Sequence, residues 1–320
     1  MPCLVRNLKF RPFLLVVSIL TFLVFNIPAT AKTVIVKCEE RTISNVLKSL
    51  DPEARNTIRV VGTCTDSIGI YDFADLTIEG IPAGGKNAVI QSLNGSAVFW
   101  IVGSHVQIKN LTISGGLWDV MCREFSVCRF SGNTIQNATG NGVGLDSADA
   151  TFTGDVLQNN ANSALNLTAA RVRLTQVTVQ GTTAGSWGPG NGVDIDSGST
   201  VTVEQLNVTG NQGAGISIVG NSHLSNRPWA GTLTVSNNAS GGIWVTEQSS
   251  ADLSGATVTG NAGGNAGAGV VIDGNAYAAF WGGGTFTGNQ PMDVYCGANF
   301  AFAAAPQQAT IGVTNCPSTY

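Results

Sequence analysis

Asn191–Gln212 reads NGVDIDSGSTVTVEQLNVTGNQ. Three short alternating runs lie in it: Val193-Asp194-Ile195, Val201-Thr202-Val203 and Leu206-Asn207-Val208. Each carries aliphatic residues at i and i+2, the period of a half-buried strand. Gly, Ser, Asn and Gln separate the runs, as sharp turns require. The stretch is one turn of a coil that cannot bury its inner face alone, and stacked copies of it make a parallel β-coil. In such a stack Asp194 and Asp196 lie side by side on the outer face.

Copies are found on both sides. From Ala97 onward the apolar residue before each polar tail falls at Ile113, Ile135, Leu157, Val179, Val208, Val235, Val258 and Phe286, with spacings of 22, 22, 22, 29, 27, 23 and 28. Asn follows three residues later at Asn160, Asn211, Asn238, Asn261 and Asn289. A Gly and a new Val or Ile come next, as in Gly192-Val193, Gly215-Ile216, Gly242-Ile243 and Gly269-Val270. A period near 22, with longer members absorbed in loops, predicts a three-sided coil of about eight or nine turns. Two-residue corners recur between the second and third runs: Lys109-Asn110, Ser131-Gly132, Thr153-Gly154, Thr175-Gln176, Glu204-Gln205 and Ser254-Gly255. The second member is Asn, Gln or Gly, of which Asn and Gly tolerate the left-handed backbone of a tight bend.

Composition agrees. The 320 residues include 40 Gly and are 11% charged and 43% hydrophobic, which suits a turn-rich all-β chain and excludes a disordered one. Met1–Ala31 has the three parts of a secretory leader: a basic start (Arg6, Lys9, Arg11), an apolar run over Phe13–Ile27, and Ala29-Thr30-Ala31 as cleavage site. Export is therefore expected, with no transmembrane span after leader removal. The remaining chain has 13 basic and 20 acidic residues, which argues against nucleic acid and anionic lipid as partners.

Removing the leader leaves Cys38, Cys64, Cys122, Cys128, Cys296 and Cys316. An even number in an exported chain points to disulfides. Pairing neighbours in sequence needs no crossing between distant coils, and it is one of about 15 connectivities. Zinc fits less well, since there is no CxxC and only two His are present. Residues 32–56 read as an N-terminal cap, a strand followed by a short amphipathic helix bearing Ile43, Val46, Leu47 and Leu50. Residues 57–290 read as the coil, and 291–320 as a C-terminal cap closed by a disulfide.

With VQIKNLTISGG (106–116), the corner series and the N-x-x-x-G-[VI] steps in view, the chain resembles the right-handed parallel β-helix superfamily, also called pectin lyase-like. The resemblance implies an all-β, single-stranded three-sheet solenoid. It also implies that the short corner lies between the second and third sheets, so that Val193–Asp196 belongs to the first sheet, whose outer face forms the substrate groove. Two outward columns follow: Trp100, Met121, Gly144, Asn166, Asp194, Ser217, Trp244, Val271, and Val102, Arg123, Asp146, Thr168, Asp196, Val219, Thr246, Asp273.

Asp194, Asp196 and Asp146 are the candidate catalytic carboxylates, as an acid/base pair or as sharers of a calcium. No other cofactor is expected. Arg123 is the candidate for orienting a uronate carboxylate, or, on the resemblance to pectate lyases, for the base. Asn166, Trp100, Trp187, Trp229 and Trp244 are the candidate substrate contacts, because exposed aromatics stack on sugar rings. Asp and Asn are also soluble fillers of a wet face. Polygalacturonase motifs are echoed only by NGVDID, with no Gly-His-Gly or Arg-x-Lys, and the pectate lyase motifs are absent. The expectation is an exported protein that binds, and cleaves or modifies, an extracellular or cell-wall polysaccharide. The alternative is a non-catalytic structural or adhesive rod.

Overall fold

The computed structural model describes residues 30–93, 95–226, 232–263, 267–280, 282–303 and 309–317. Residues 1–29, most of the stretch expected as a leader, and Trp229 lie outside the described residues. Among the described residues, short parallel strands stack into three sheets of 10, 12 and 11 strands. The first holds Asn191–Asp196, the second Thr200–Val203 and the third Leu206–Thr209. Each strand pairs with its equivalents one coil earlier and one coil later. The stack is longer than the sequence spacing predicts. Ile68–Tyr71 and Val294–Cys296 are the first and last strands of the first sheet. Both coils lie outside the run of evenly spaced anchors.

The alternating pattern produces the core directly. Val193, Ile195, Val201, Val203, Leu206 and Val208 are all at most 1% exposed. Equivalent residues stack on them from coil to coil, as Phe130 does on Phe152 with ring centroids 4.5 Å apart. Dispersion between such columns adds to the transfer of apolar surface from water.

Two buried polar columns bracket the first sheet. Between the third and first sheets, the Nδ2 of Asn211 donates to Asn238 Oδ1 (2.8 Å), that of Asn238 to Asn261 (2.9 Å) and that of Asn261 to Asn289 (2.9 Å). Asp293 Oδ1 accepts from Asn289 and ends the column. Between the first and second sheets, the N–H groups of Ser104, Ser199 and Ser222 donate to Ser126, Ser199's successor Ser222, and Ser249 respectively. Turns that would leave buried N–H groups unpaired are satisfied by the side chain one coil on.

At the second-to-third corner, Asn110 (φ 52°) and Gln176 (φ 56°) are left-handed, as are Gly132, Gly154 and Gly255. Gln205 is not, so that corner turns by a different route. The helix spans Ile43–Leu47, shorter than the apolar spacing predicts, with Thr42 as N-cap accepting from Asn45 N–H. Its face of Ile43, Val46 and Leu47, followed by Leu50, joins the core of the first coils. Lys32–Lys37 extends the second sheet by pairing with Arg55–Val61. Cys38–Cys64, Cys122–Cys128 and Cys296–Cys316 are disulfide-bonded, which is the pairing of neighbours. At the C-terminal end, Phe300–Ala303 pairs with Ala276–Ala279 and Thr310–Ile311 with Thr285–Phe286.

Candidate functional site

The outer face of the first sheet carries the two columns in register. Trp100, Met121, Gly144, Asn166, Asp194, Ser217, Trp244 and Val271 are successive partners, with Tyr295 one coil further. Val102, Arg123, Asp146, Thr168 and Asp196 form the parallel column.

Asp194 is the most enclosed carboxylate of this face. Three coils supply its donors: Ser163 Oγ from the coil before, Asn191 Nδ2 from its own strand at 2.6 Å, and Ser217 from the coil after. Burial pushes its carboxyl above the usual range; these hydrogen bonds pull it down, and the charge of Asp196 adds to the rise. Asn191 is itself fixed, because its Oδ1 accepts from Ala214 N–H at 2.8 Å and so aims Nδ2 at Asp194. Gly213 leaves room for that amide, since a Cβ there would sit 2.3 Å from Asn191 Oδ1.

Asp196 does not converge with Asp194. The two Cα atoms are about 6.5–7 Å apart along the strand. Asp196 Oδ1 turns to the corner, where it accepts from Ser197 N–H and lies against Gly220. Asp146 is two coils from Asp196, about 10 Å. It is engaged by Arg123, whose Nε and Nη2 donate to its Oδ2 at 3.3 and 3.1 Å. The Arg123 guanidinium also lies 5.4 Å from the Trp100 ring centroid, a cation–π distance. One edge of the guanidinium is thus occupied, and Nη1 has no hydrogen-bond partner among the described residues. Arg123 sits three coils from Asp194 and two residues along the strand, about 16 Å, so the two form separate centres on one strip. Its turn is set by the Cys122–Cys128 bond and by left-handed Glu124 and Phe125.

Aromatic rings line the strip. Trp187, on the insertion 181–190, is 64% exposed. Its backbone N–H donates to Asn162 Oδ1, and its ring lies against Gly140. The Trp118 ring covers Gly144, where a Cβ would meet it at 2.4 Å. Asn166 lies between Gly144 and Asp194. Trp244 stands two coils beyond Asp194 and opens a cavity of about 320 Å³ with Val271, Asp273, Met292 and Tyr295. Its Nε1 is enclosed and has no hydrogen-bond partner among the described residues. No three His, Cys, Asp or Glu side chains gather as a cation site among the described residues.

Ser163 and Asn191 were not among the sequence candidates. Both occupy the strand-start position of the first sheet, in register with one another. The signal was a polar residue recurring there (Asn141, Ser163, Asn191), which reads equally as turn chemistry.

The family described as "Right handed beta helix region" matches residues 54–227, just over half of the chain. No curated protein matches it by sequence. Among solved structures, the chain is similar to an alginate lyase from Paenibacillus sp. str. FPU-7, with 15% identity, TM-score 0.58, and coverage of 90% of this chain and 100% of that one. It is also similar to the A-module of a mannuronan C-5 epimerase from Azotobacter vinelandii, with 10% identity, TM-score 0.55, and coverage of 82% and 89%. At these identities the likeness is one of fold.

Proposed function

Given that the chain belongs to the right-handed β-helix family, we propose that it is an exported protein that binds an acidic extracellular polysaccharide along the first sheet and cleaves or modifies it there. The observation that carries this reading is Asp194, enclosed by donors from three successive coils and with its carboxyl raised above the usual range by burial. A carboxyl so tuned suits general acid–base work. Around it, Trp187, Trp118, Trp100 and Trp244 offer stacking surfaces for sugar rings, and Arg123 Nη1 offers a contact for a uronate carboxylate. The two similar structures are named for alginate and mannuronan, polysaccharides of that chemistry. Three disulfides suit an oxidising compartment, and no helix among the described residues is long and apolar enough to cross a membrane.

A glycan array with the wild type, Asp194→Asn and Asp196→Asn tests the proposal, with assays for reducing ends and unsaturated products. Binding by all three, with product formation lost in Asp194→Asn and only reduced in Asp196→Asn, is the expected result. No binding by the wild type to any polysaccharide, and no product, would overturn it. That outcome would favour a rigid rod, the reading supported by the unbroken stacking of strands from end to end.

A further inference from the structure

The second sheet carries a cluster of opposite character to the first. Its outward residues Arg129, Thr151 and Arg173 are successive partners in one column, so the two arginines stand two coils apart, about 10 Å. Arg171 lies on the same strand as Arg173, and its column partner is Asp149. These side chains line an open depression of about 390 Å³. Arg171 pairs with Asp149 at 3.7 Å with both side chains mostly in water, a contact of small worth. Arg173 pairs with Glu204. Arg129 makes no ion pair among the described residues. The first sheet, by contrast, presents Arg123 alone among the described residues, and that guanidinium is held by Asp146.

We propose that this depression is a second glycan site, separate from the Asp194 strip, which holds a linear polysaccharide bearing carboxylates. Three guanidinium groups and one carboxylate, Asp149, line it. A polyuronate alternates carboxylate acceptors with hydroxyl donors, so Arg129 and Arg173 take carboxylates of one chain while Asp149 accepts from a hydroxyl between them. A nucleic-acid backbone has a denser negative charge and few donors to offer Asp149. No aromatic side chain lines the depression for base stacking. A neutral glucan would leave the guanidinium groups without ionic partners. The site acts as an anchor: it holds the polymer while another segment lies on the first sheet, which raises the effective concentration of chain at Asp194.

The test is retention of the full protein on immobilised polygalacturonate and alginate, with a neutral glucan and duplex DNA as parallel arms. Arg129→Ala/Arg173→Ala is compared with Asp194→Asn, and circular dichroism confirms the fold of each. The double arginine variant is expected to bind polyuronate at least tenfold more weakly and with a smaller salt dependence, and to turn over short oligosaccharides as the wild type does. Asp194→Asn is expected to stay bound, so a failure of the catalytic reading leaves this readout intact. Equal retention of wild type and arginine variant overturns the proposal. So does loss confined to the DNA or neutral-glucan arm.

Discussion

Asp155 makes this fold more stable in mild acid. It sits at the corner between Asp149–Thr153 and Val156–Gln158, and its side chain is fully buried. Oδ1 accepts from both the N–H and Nδ2 of Asn133 at 2.8 Å, and Oδ2 accepts from Thr153 N–H at 2.8 Å. Burial outweighs these bonds and pushes the carboxyl from 3.8 up to about 6. Because the folded value lies above the unfolded one, the native state binds the proton more tightly. The stabilisation is fully present below the unfolded value and is lost as pH rises through about 6. The whole shift corresponds to about 3 kcal/mol. Integrated from about pH 7 down to about pH 4.5, roughly 2 kcal/mol of it is gained. Asp155→Asn removes the titration, keeps an acceptor for Asn133, and turns a donor toward Thr153 N–H. Urea unfolding midpoints of both proteins across that range give the comparison, with the difference between them isolating this group from Asp119 and Asp194, which are raised in the same sense. The wild type should gain about 2 kcal/mol on the variant as the pH falls. Parallel curves would refute the assignment of a buried, proton-binding carboxyl here.

Two further outcomes concern the devices that hold the first sheet. Asn238→Ala removes the acceptor of both Asn211 N–H and Asn211 Nδ2 and the donor to Val208 C=O, all buried. A loss of about 2–5 kcal/mol is expected from the groups left unpaired, read from urea midpoints at unchanged slope. Replacing Cys122 and Cys128 by Ser opens a loop with a sequence separation of 6 residues. The expected loss is about 2 kcal/mol on a chain-entropy argument. Arg123 lies inside that loop, so binding of a uronate ligand should weaken along with stability, whereas removal of Cys296–Cys316 should leave binding unchanged.

The fold was legible because its information is periodic. Val193 and Ile195 face inward for the same local reason as Val201, Val203, Leu206 and Val208, and the same reason repeats down the chain. The outward columns followed from that register, which placed Trp100, Asn166, Asp194 and Trp244 in one line. What a column does not reveal is where a side chain turns once it leaves the sheet. Asp194 and Asp196 are equivalent in sequence pattern, yet one is drawn toward Ser163 and Asn191 and the other toward Ser197. Arg123 and Asp146 are adjacent members of their column, but their pairing and the contact with Trp100 depend on rotamers that no spacing encodes. The ladders were half visible. The Asn series stood out by its repeat, while Asp293, which closes it, replaces Asn by a change of residue type and spacing.

The gaps in the serine column fall beside the candidate site. Ser126 is followed by Ala148, Ala170 and then Ser199, and these two alanines close the coils that carry Asp146 and Asn166. Ala170 N–H donates to Ser199 Oγ at 3.0 Å, so the column resumes there. Ala148 has no hydroxyl one coil on to receive its N–H, because Ala170 has none. The coil that carries Asp146 is therefore tied by one bond fewer at this corner than the coils further along, where Ser199 and Ser222 each donate to the next serine. Ala170→Ser places an Oγ in line with Ser126 and Ser199, at a position already enclosed. It should gain about 0.5–1.5 kcal/mol if that Oγ accepts from Ala148 N–H. Slower amide exchange at Ala148 is the local readout, and a higher unfolding midpoint the global one. The variant touches neither Asp194 nor its three donors, so turnover should follow only from how much the site relies on movement between these coils. An unchanged exchange rate at Ala148 would show that its N–H is already satisfied, and that the interruption is a tolerated substitution with no bearing on the site.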